Sequence, residues 1–377
     1  MGETQQGFPP LMFLNALRIA FPQFAQKAKD GHYAQQDAEE AWSQIVSQLR
    51  QKLKRKDADA HSDAAAEQSW IDKYMAGKFE SVMECDEPAA TEGGEEPIKS
   101  EDLFFKLNCH INVETNHLRD GLATGLKEQI ERRSEVLGRN ALYTKKARIA
   151  RLPKYLPIHF VRFDWRRDTN KKAKIMRKVT FPEELDALEF CTDELRKLLV
   201  PIRDKIREVR KEEEDIERAR KRQRRVKAGE ENDAGPSVST KEPLQKKKEI
   251  EQKKENAKKP TDDTEMAEVE YKTDAQVDAE RAASILQAKK ELLTLVDSKM
   301  AADEGANQTG LYELRGVITH QGASADSGHY TSFVKKQGPK DPISGKRKEE
   351  DGKWWWFNDD KVSEVDAERI QTLSGGG

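Results

Sequence analysis

Apolar positions first recur at helical spacing at Leu11, Leu14 and Leu17. They recur again on one face of a segment opening at Asp37, through Ala38, Ala41, Trp42, Ile45 and Leu49. The spacing predicts two packed helices at the start of the chain. Small and acidic residues dominate 57–66 and 86–96, which read as loops. Leu103 to Val113 alternates as a strand, and Leu156 to Phe163 (LPIHFVRF) has the β-branched and aromatic make-up of a buried one. Val179 to Phe181 reads as a further short strand. Helical periodicity returns over Val277 to Val296, through Ile285, Leu286, Leu292 and Leu293. Beyond it, Leu311 to His320, Tyr330 to Val334 and Trp354 to Phe357 alternate as strands, with turn-rich segments at 321–328 and 337–352 between them. That order predicts a small antiparallel sheet, and no repeat at a fixed period interrupts it.

Composition changes this picture in one place. The 377 residues are 36% charged, 36% hydrophobic and 7% aromatic, enough for two or three modules but thin material for burying all of them. The charge is concentrated from Arg203 to Lys272, which holds 21 Lys+Arg and 19 Asp+Glu and no aromatic before Tyr271. This stretch reads as an inserted, near-neutral, solvated spacer whose first third forms a frayed, salt-bridged helix. Its basic run, Arg218 to Lys227, has a second reading as a nuclear-import or nucleic-acid patch, weakened by acidic neighbours. The expected organisation is therefore 1–202, a charged and disordered insertion over 203–275, and 276–377. A coiled-coil scaffold built on the insertion has too few apolar positions for sustained heptads.

A formal net charge of -2 gives no global attraction to nucleic acid or an acidic membrane, so neither is an expected partner. No run approaches 18 apolar residues, and the first residues do not show the basic, apolar and small-residue order of a secretory leader, so secretion is not expected. Cys85, Cys109 and Cys191 form no CxxC pair, which argues against a disulfide scaffold, a zinc ribbon or an iron–sulfur site. A reducing compartment, cytosolic or nuclear, fits that usage, and neither a cofactor nor a metal is expected.

One histidine carries the candidate chemistry. His329 follows Gly328 at the foot of a strand, behind the small polar segment Gly322 to Ser327. An imidazole titrates near neutrality, so such a group can serve as a general base or hold a cysteine as thiolate. Downstream, the aromatic strand Trp354-Trp355-Trp356-Phe357 ends in Asn358, Asp359 and Asp360. If the two strands are neighbours, Asn358 or Asp359 accepts the imidazole N–H and sets its tautomer, the orienting role of a Cys-His-Asn/Asp triad. The alternatives are a surface histidine and a strand ending in an Asx turn.

The segment Gly316-Val317-Ile318-Thr319-His320-Gln321-Gly322, running to Ser327-Gly328-His329-Tyr330 and followed by Trp356-Phe357-Asn358-Asp359-Asp360-Lys361-Val362-Ser363, resembles the His box of the ubiquitin-specific proteases. Tyr33 to Glu40 (YAQQDAEE) resembles that family's glutamine-aspartate box, and Leu152 to Phe163 its LPxxL…RF strand. Phe21-Pro22-Gln23-Phe24, Arg139 to Tyr143 and Leu373 to Gly377 are similar to its proteasome-associated branch. The resemblance implies an α+β, papain-like cysteine peptidase with a helical thumb and a β-rich palm and fingers. It implies His329 as base, with Asn358 orienting it and Asp359 sharing that role. It also implies contacts to ubiquitin or its tail from Gln36, Asp37, Phe163, His320, Gly328 and Tyr330, and a movable 321–327 loop over the tail channel. Read as ordinary residues, Asp37 is a helix N-cap, Phe163 a core side chain, and Gln36 and His320 packing residues.

The implied activity is removal of ubiquitin from conjugates through a cysteine, beside the regulatory particle of the proteasome. The implied partners are ubiquitin, its conjugates and that particle, in cytoplasm and nucleus. The family's Asn-Thr-Cys-Tyr box has no counterpart here, and the contexts of the three cysteines match non-catalytic positions. The expectation is a chain truncated at both ends, lacking its nucleophile, the branch's ubiquitin-like domain and a last strand, and catalytically silent by itself. A non-catalytic ubiquitin-binding or proteasome-regulating protein is the alternative.

Overall fold

The computed structural model describes residues 10–54, 69–166, 171–232, 274–324, 327–339, 341 and 347–374. In chain order the helices are α1 (Leu11–Ala20), α2 (Ala38–Lys52), α3 (Trp70–Met75), α4 (Pro88–Glu92), α5 (Leu118–Gly125), α6 (Asp193–Asn232), α7 (Asp274–Leu295), α8 (Ser298–Ala302) and α9 (Ala367–Gln371). The strands between them are β1 (Gly77–Cys85), β2 (Ile98–Phe104), β3 (Leu107–His110), β4 (Lys127–Arg133), β5 (Asn140–Arg151), β6 (Ile158–Val161), β7 (Phe163–Arg166), β8 (Lys171–Lys174) and β9 (Glu184–Asp186). The last five are β10 (Leu311–Glu313), β11 (Gly316–Ser324), β12 (Ser327–Lys335), β13 (Trp354–Asn358) and β14 (Lys361–Val365). The architecture is α+β. Two compact units divide the chain, one of 1–203 with 296–377 and one of 204–295.

In the larger unit, β2-β1-β5-β4 and β11-β12-β13-β14 form two antiparallel sheets, while β3 and β6 pair in parallel. The expected C-terminal sheet is thus present with four strands. Burial of Phe333, Trp354 and Ile370 anchors it, with Phe181, Val317, Trp356 and Leu373 packed around them. Alternate residues of the aromatic strand therefore point into the core while their neighbours stay outside.

Several local expectations are corrected. α1 buries no side chain, so the two N-terminal helices are not a packed pair; α2 instead packs on α3, where Arg50 meets Asp72 at 2.7 Å. The stretch 103–113 is two strands, β2 and β3, because the chain leaves one sheet and joins β6 at the edge of another pairing. Likewise 311–320 splits into β10, which pairs with β9, and β11, which pairs with β12. β6 is half-buried along its whole length rather than buried. At 179–181, Val179 is fully buried and Thr180 makes one bridge to His117, without a strand. Pro88 starts a short helix in 86–96, with Ala90 buried, where the sequence reads as loop. The turn expected at 321–328 is mostly strand, since β11 and β12 continue to Ser324 and Ser327; the loop expected at 57–66 lies outside the described residues.

The smaller unit consists of α6 beyond Asp204 together with α7. The helix expected at 277–296 is α7, and the frayed helix expected after Arg203 is a regular one that continues to Asn232. Among its described residues, Val209, Ile216 and Ala288 are buried and apolar. Around them lie ion pairs, Lys205 with Glu291 at 3.1 Å and Lys289 with Glu213 at 2.6 Å. Residues 233–273 of the expected spacer lie outside the described residues. Among the described residues no helix is long and apolar enough to cross a membrane.

Candidate functional site

The β12–β13 register pairs Ser332 with Phe357 and Phe333 with Trp356. Carried one step further, it sets Asn358 across from Thr331, on the same face as His329 and diagonal to it. Long polar side chains reach each other across that diagonal, and His329 Nε2 lies 2.5 Å from Asn358 Oδ1. An amide oxygen only accepts, so Nε2 carries the proton and Nδ1 presents its lone pair. The imidazole side chain is 40% exposed, open enough for an approaching group. Asp359 Oδ2 stands 3.8 Å from the same nitrogen and is 76% exposed, too far for a hydrogen bond. Asp359 has a left-handed φ of 52° in the tight turn that the Asn358–Lys361 pair closes, a conformation aspartate tolerates better than most residues.

β11 runs beside β12, with His320 opposite Tyr330 and Gln321 opposite His329. Gly328, at φ 145°, lets these strands close up, because a Cβ there would lie 2.2 Å from the Gln321 carbonyl and 2.5 Å from His320 Nε2. The His320 ring packs between Phe163, at 5.8 Å and edge-on, and Tyr330, at 4.7 Å. From Tyr330 the contact passes to α2, where the phenol oxygen accepts the Ala38 N–H at 3.5 Å. Burial raises the Tyr330 phenol above its ordinary range, so it stays protonated at neutral pH. Asp37 caps α2, its carboxylate accepting the Glu39 N–H at 2.8 Å. Gln36 donates to the Ala34 carbonyl at 3.5 Å. The fold thus gathers Asp37, Phe163, His320, Gly328, Tyr330, His329 and Asn358 from four regions of the sequence, with Gln36 adjacent. Asp37 occupies the ordinary capping position and Phe163 is a groove wall rather than core.

A groove of about 830 Å³ is lined by Asp37, Phe163, His320 and Tyr330 of this cluster and by the edges of β6 and β11, while Gly328, His329 and Asn358 lie outside its lining. Its polar wall carries opposed charges. Burial pushes the Glu39 carboxyl up, but hydrogen bonds from Lys106 and Ser43 and the Lys106 charge bring it below its usual value. His159 in the same wall is held below its ordinary value by burial, against the opposing pull of Glu39. Arg162 donates to the carbonyls of Ile175, Arg177 and Ser374, at 3.3, 2.7 and 3.1 Å. It anchors the groove floor by backbone contacts.

Sequence reasoning missed Lys174. Its ammonium donates to the carbonyls of His320 and Gly322, each at 2.8 Å, and lies 3.2 Å from His320 Nδ1. Nothing in its spacing distinguishes it from Lys171, Lys172 and Lys178.

None of the three thiols lines the groove. Cys109 and Cys191 are buried and burial pushes both up to about 12, so neither is a thiolate at neutral pH. Their Sγ atoms face the carbonyls of Leu118 and Ala187. Cys85 ends β1 opposite Tyr143, in the other sheet.

The family model described as ubiquitin carboxyl-terminal hydrolase matches residues 1–375. Over 98% of the chain, 42% of residues are identical to ubiquitin carboxyl-terminal hydrolase 6 of Schizosaccharomyces pombe, of which 63% is covered. A second relative, ubiquitin carboxyl-terminal hydrolase 6 of Arabidopsis thaliana, is 34% identical over 98% of the chain and 61% of its own length. A solved structure of the SAGA DUB module bound to ubiquitin aldehyde aligns with 97% of the chain and 52% of its own, at 17% identity and a TM-score of 0.48. The chain spans about three fifths of the length of these curated relatives. With the family model matching residues 1–375 and 42% identity to a curated relative over 98% of its length, the chain belongs to the ubiquitin carboxyl-terminal hydrolase family.

Proposed function

We propose that this chain carries the base and part of the ubiquitin-tail channel of a thiol-dependent deubiquitinase. The observation that carries the reading is the Nε2–Asn358 hydrogen bond at 2.5 Å, which leaves Nδ1 of a half-exposed imidazole ready to take a proton. In that reaction Nδ1 accepts the thiol proton as sulfur attacks the carbonyl of ubiquitin's terminal glycine. The imidazolium then protonates the departing lysine amine, and water releases the acyl group from sulfur. Asn358 holds the ring in place throughout, and Asp359 adds a remote negative charge. Gly328 and Tyr330 flank the tail, with Gln36, Asp37, Phe163 and His320 beside them.

The nucleophile is a thiol other than Cys85, Cys109 or Cys191, since burial of the last two opposes ionisation and Cys85 belongs to the other sheet. Likeness of Phe21 to Phe24 and Arg139 to Tyr143 to the proteasome-associated branch supports hydrolysis beside the proteasome regulatory particle, in cytoplasm and nucleus. The same burial of thiols favours a second reading, a ubiquitin-binding protein that occupies rather than cleaves.

Ubiquitin bearing a thiol-reactive C-terminal warhead tests the two. The expected result is calorimetric binding of ubiquitin by the 377-residue chain without covalent labelling, and gain of one ubiquitin mass by a version extended to include a cysteine box. Labelling of Cys85, Cys109 or Cys191 would overturn the thiol assignment. Binding with no labelling of the extended version would leave the occupancy reading.

A further inference from the structure

We infer that Lys174 is a positioning residue for His329, acting through the free edge of β11. The inference deepens the reading of His329 as a base and rests on it.

β11 is the outer strand of its sheet, so one row of its backbone groups has no ladder partner within that sheet. Regular pairing with β12 also fails at this end, where the register shifts between Gln321 and Ser324. Gly322 sits at φ 132° and Gly328 at φ 145°, both in the region that favours glycine. The two strands are therefore least constrained by their own hydrogen bonds where His329 stands. Lys174 supplies the missing constraint. Its ammonium, from the end of β8, grips the carbonyls of His320 and Gly322 at 2.8 Å each. Those carbonyls flank Gln321, the residue opposite His329. A charged donor bridging positions either side of Gln321 fixes it along the strand and against rotation.

The second contact strengthens this. Lys174 Nζ lies 3.2 Å from His320 Nδ1, and His320 packs on Tyr330, the residue after His329. One ammonium thus holds the backbone opposite His329 and the ring packed against its neighbour. Burial, with the nearby Arg162 charge, draws Lys174 below its ordinary value, the mark of a cation held for its donors rather than for a carboxylate.

Three observations test the inference on the free chain, independent of ubiquitin. In Lys174→Met, amide hydrogen exchange of Gln321 and His329 should rise about tenfold or more, the scale of one lost charge-assisted hydrogen bond. The two imidazole nitrogens of His329, read by histidine-selective nitrogen NMR above neutral pH, should move from a fixed Nε2–H tautomer toward the averaged shifts of exchanging tautomers. Lys174→Arg should restore both, and Lys178→Met, on an exposed lysine of the same run, should change neither. Unaltered exchange and an unaltered nitrogen pattern in folded Lys174→Met would overturn the inference. If that variant does not fold, Lys174→Gln reads the same signals, with no change overturning it and a partial change sustaining it. Loss of ubiquitin binding by the unaltered chain would instead strike at the functional reading and leave these signals where they are.

Discussion

The antiparallel sheet β11–β14 and the ion-paired helices α6 and α7 place polar groups in opposite ways. In the sheet, Phe333 and Trp354 are buried to 2% and 3% exposure, and the polar groups sit at strand ends beside that packing. In the helical pair Val209, Ile216 and Ala288 are buried among the described residues, leucines such as Leu286 and Leu293 stay exposed, and ion pairs such as Lys289 with Glu213 lie largely in solvent. Tight packing over a pleated surface fixes side-chain direction, whereas exposed ion pairs tolerate many geometries. A dry core can set an imidazole against an amide at 2.5 Å; a solvated helix pair supplies length and charge instead.

The most direct way to break that contrast is Trp354→Ala. It should destabilise the larger unit by about 3–5 kcal/mol, seen in urea unfolding, and abolish the fixed His329 tautomer. Replacing the proposed base should leave the fold and remove the chemistry: His329→Ala, in a nucleophile-bearing version, should lower hydrolysis about 10²–10⁴-fold with ubiquitin affinity retained. In the smaller unit, Ile216→Ala should cost about 2 kcal/mol, the low end for a buried isoleucine, because the helices can close over the space.

A pH titration sharpens the comparison further. His159 has a folded pKa below its ordinary 6.5, so the unfolded chain binds more protons there. Stability of the larger unit should therefore be fully present above 6.5 and decline as pH falls below it; His159→Gln should flatten that slope. The smallest effects belong to exposed charge. Lys289→Ala should change stability by roughly 0.5 kcal/mol or less, and added salt should erase the difference.

Much of the candidate site was legible because its residues are local signals. Gly328-His329-Tyr330 at a strand foot and an aromatic strand ending in Asn358 can be read as strings, since side-chain alternation is built into a strand. The choice between Asn358 and Asp359 could not be read so. It depends on a turn in which Asp359 takes φ 52° and swings outward while Asn358 stays on the ladder. Asp37 shows the opposite case, because capping a helix and lining a groove are one placement rather than rivals.

Errors in element boundaries share a cause. The stretches 103–113 and 311–320 each keep one alternation while changing partner strand, and alternation reports a face, not a neighbour. The expected α1–α2 pair failed because an apolar stripe says that a helix seeks cover without saying what covers it.

What the sequence by itself determined was periodicity, charge distribution and the family's ordered motifs, because these are properties of residue order. Only the tertiary structure decided which edge carbonyls Lys174 grips, which acceptor His329 meets and how deeply Cys109 and Cys191 are buried. These depend on distances between residues far apart along the chain. Such distances follow from the joint packing of all the elements, which no local pattern encodes.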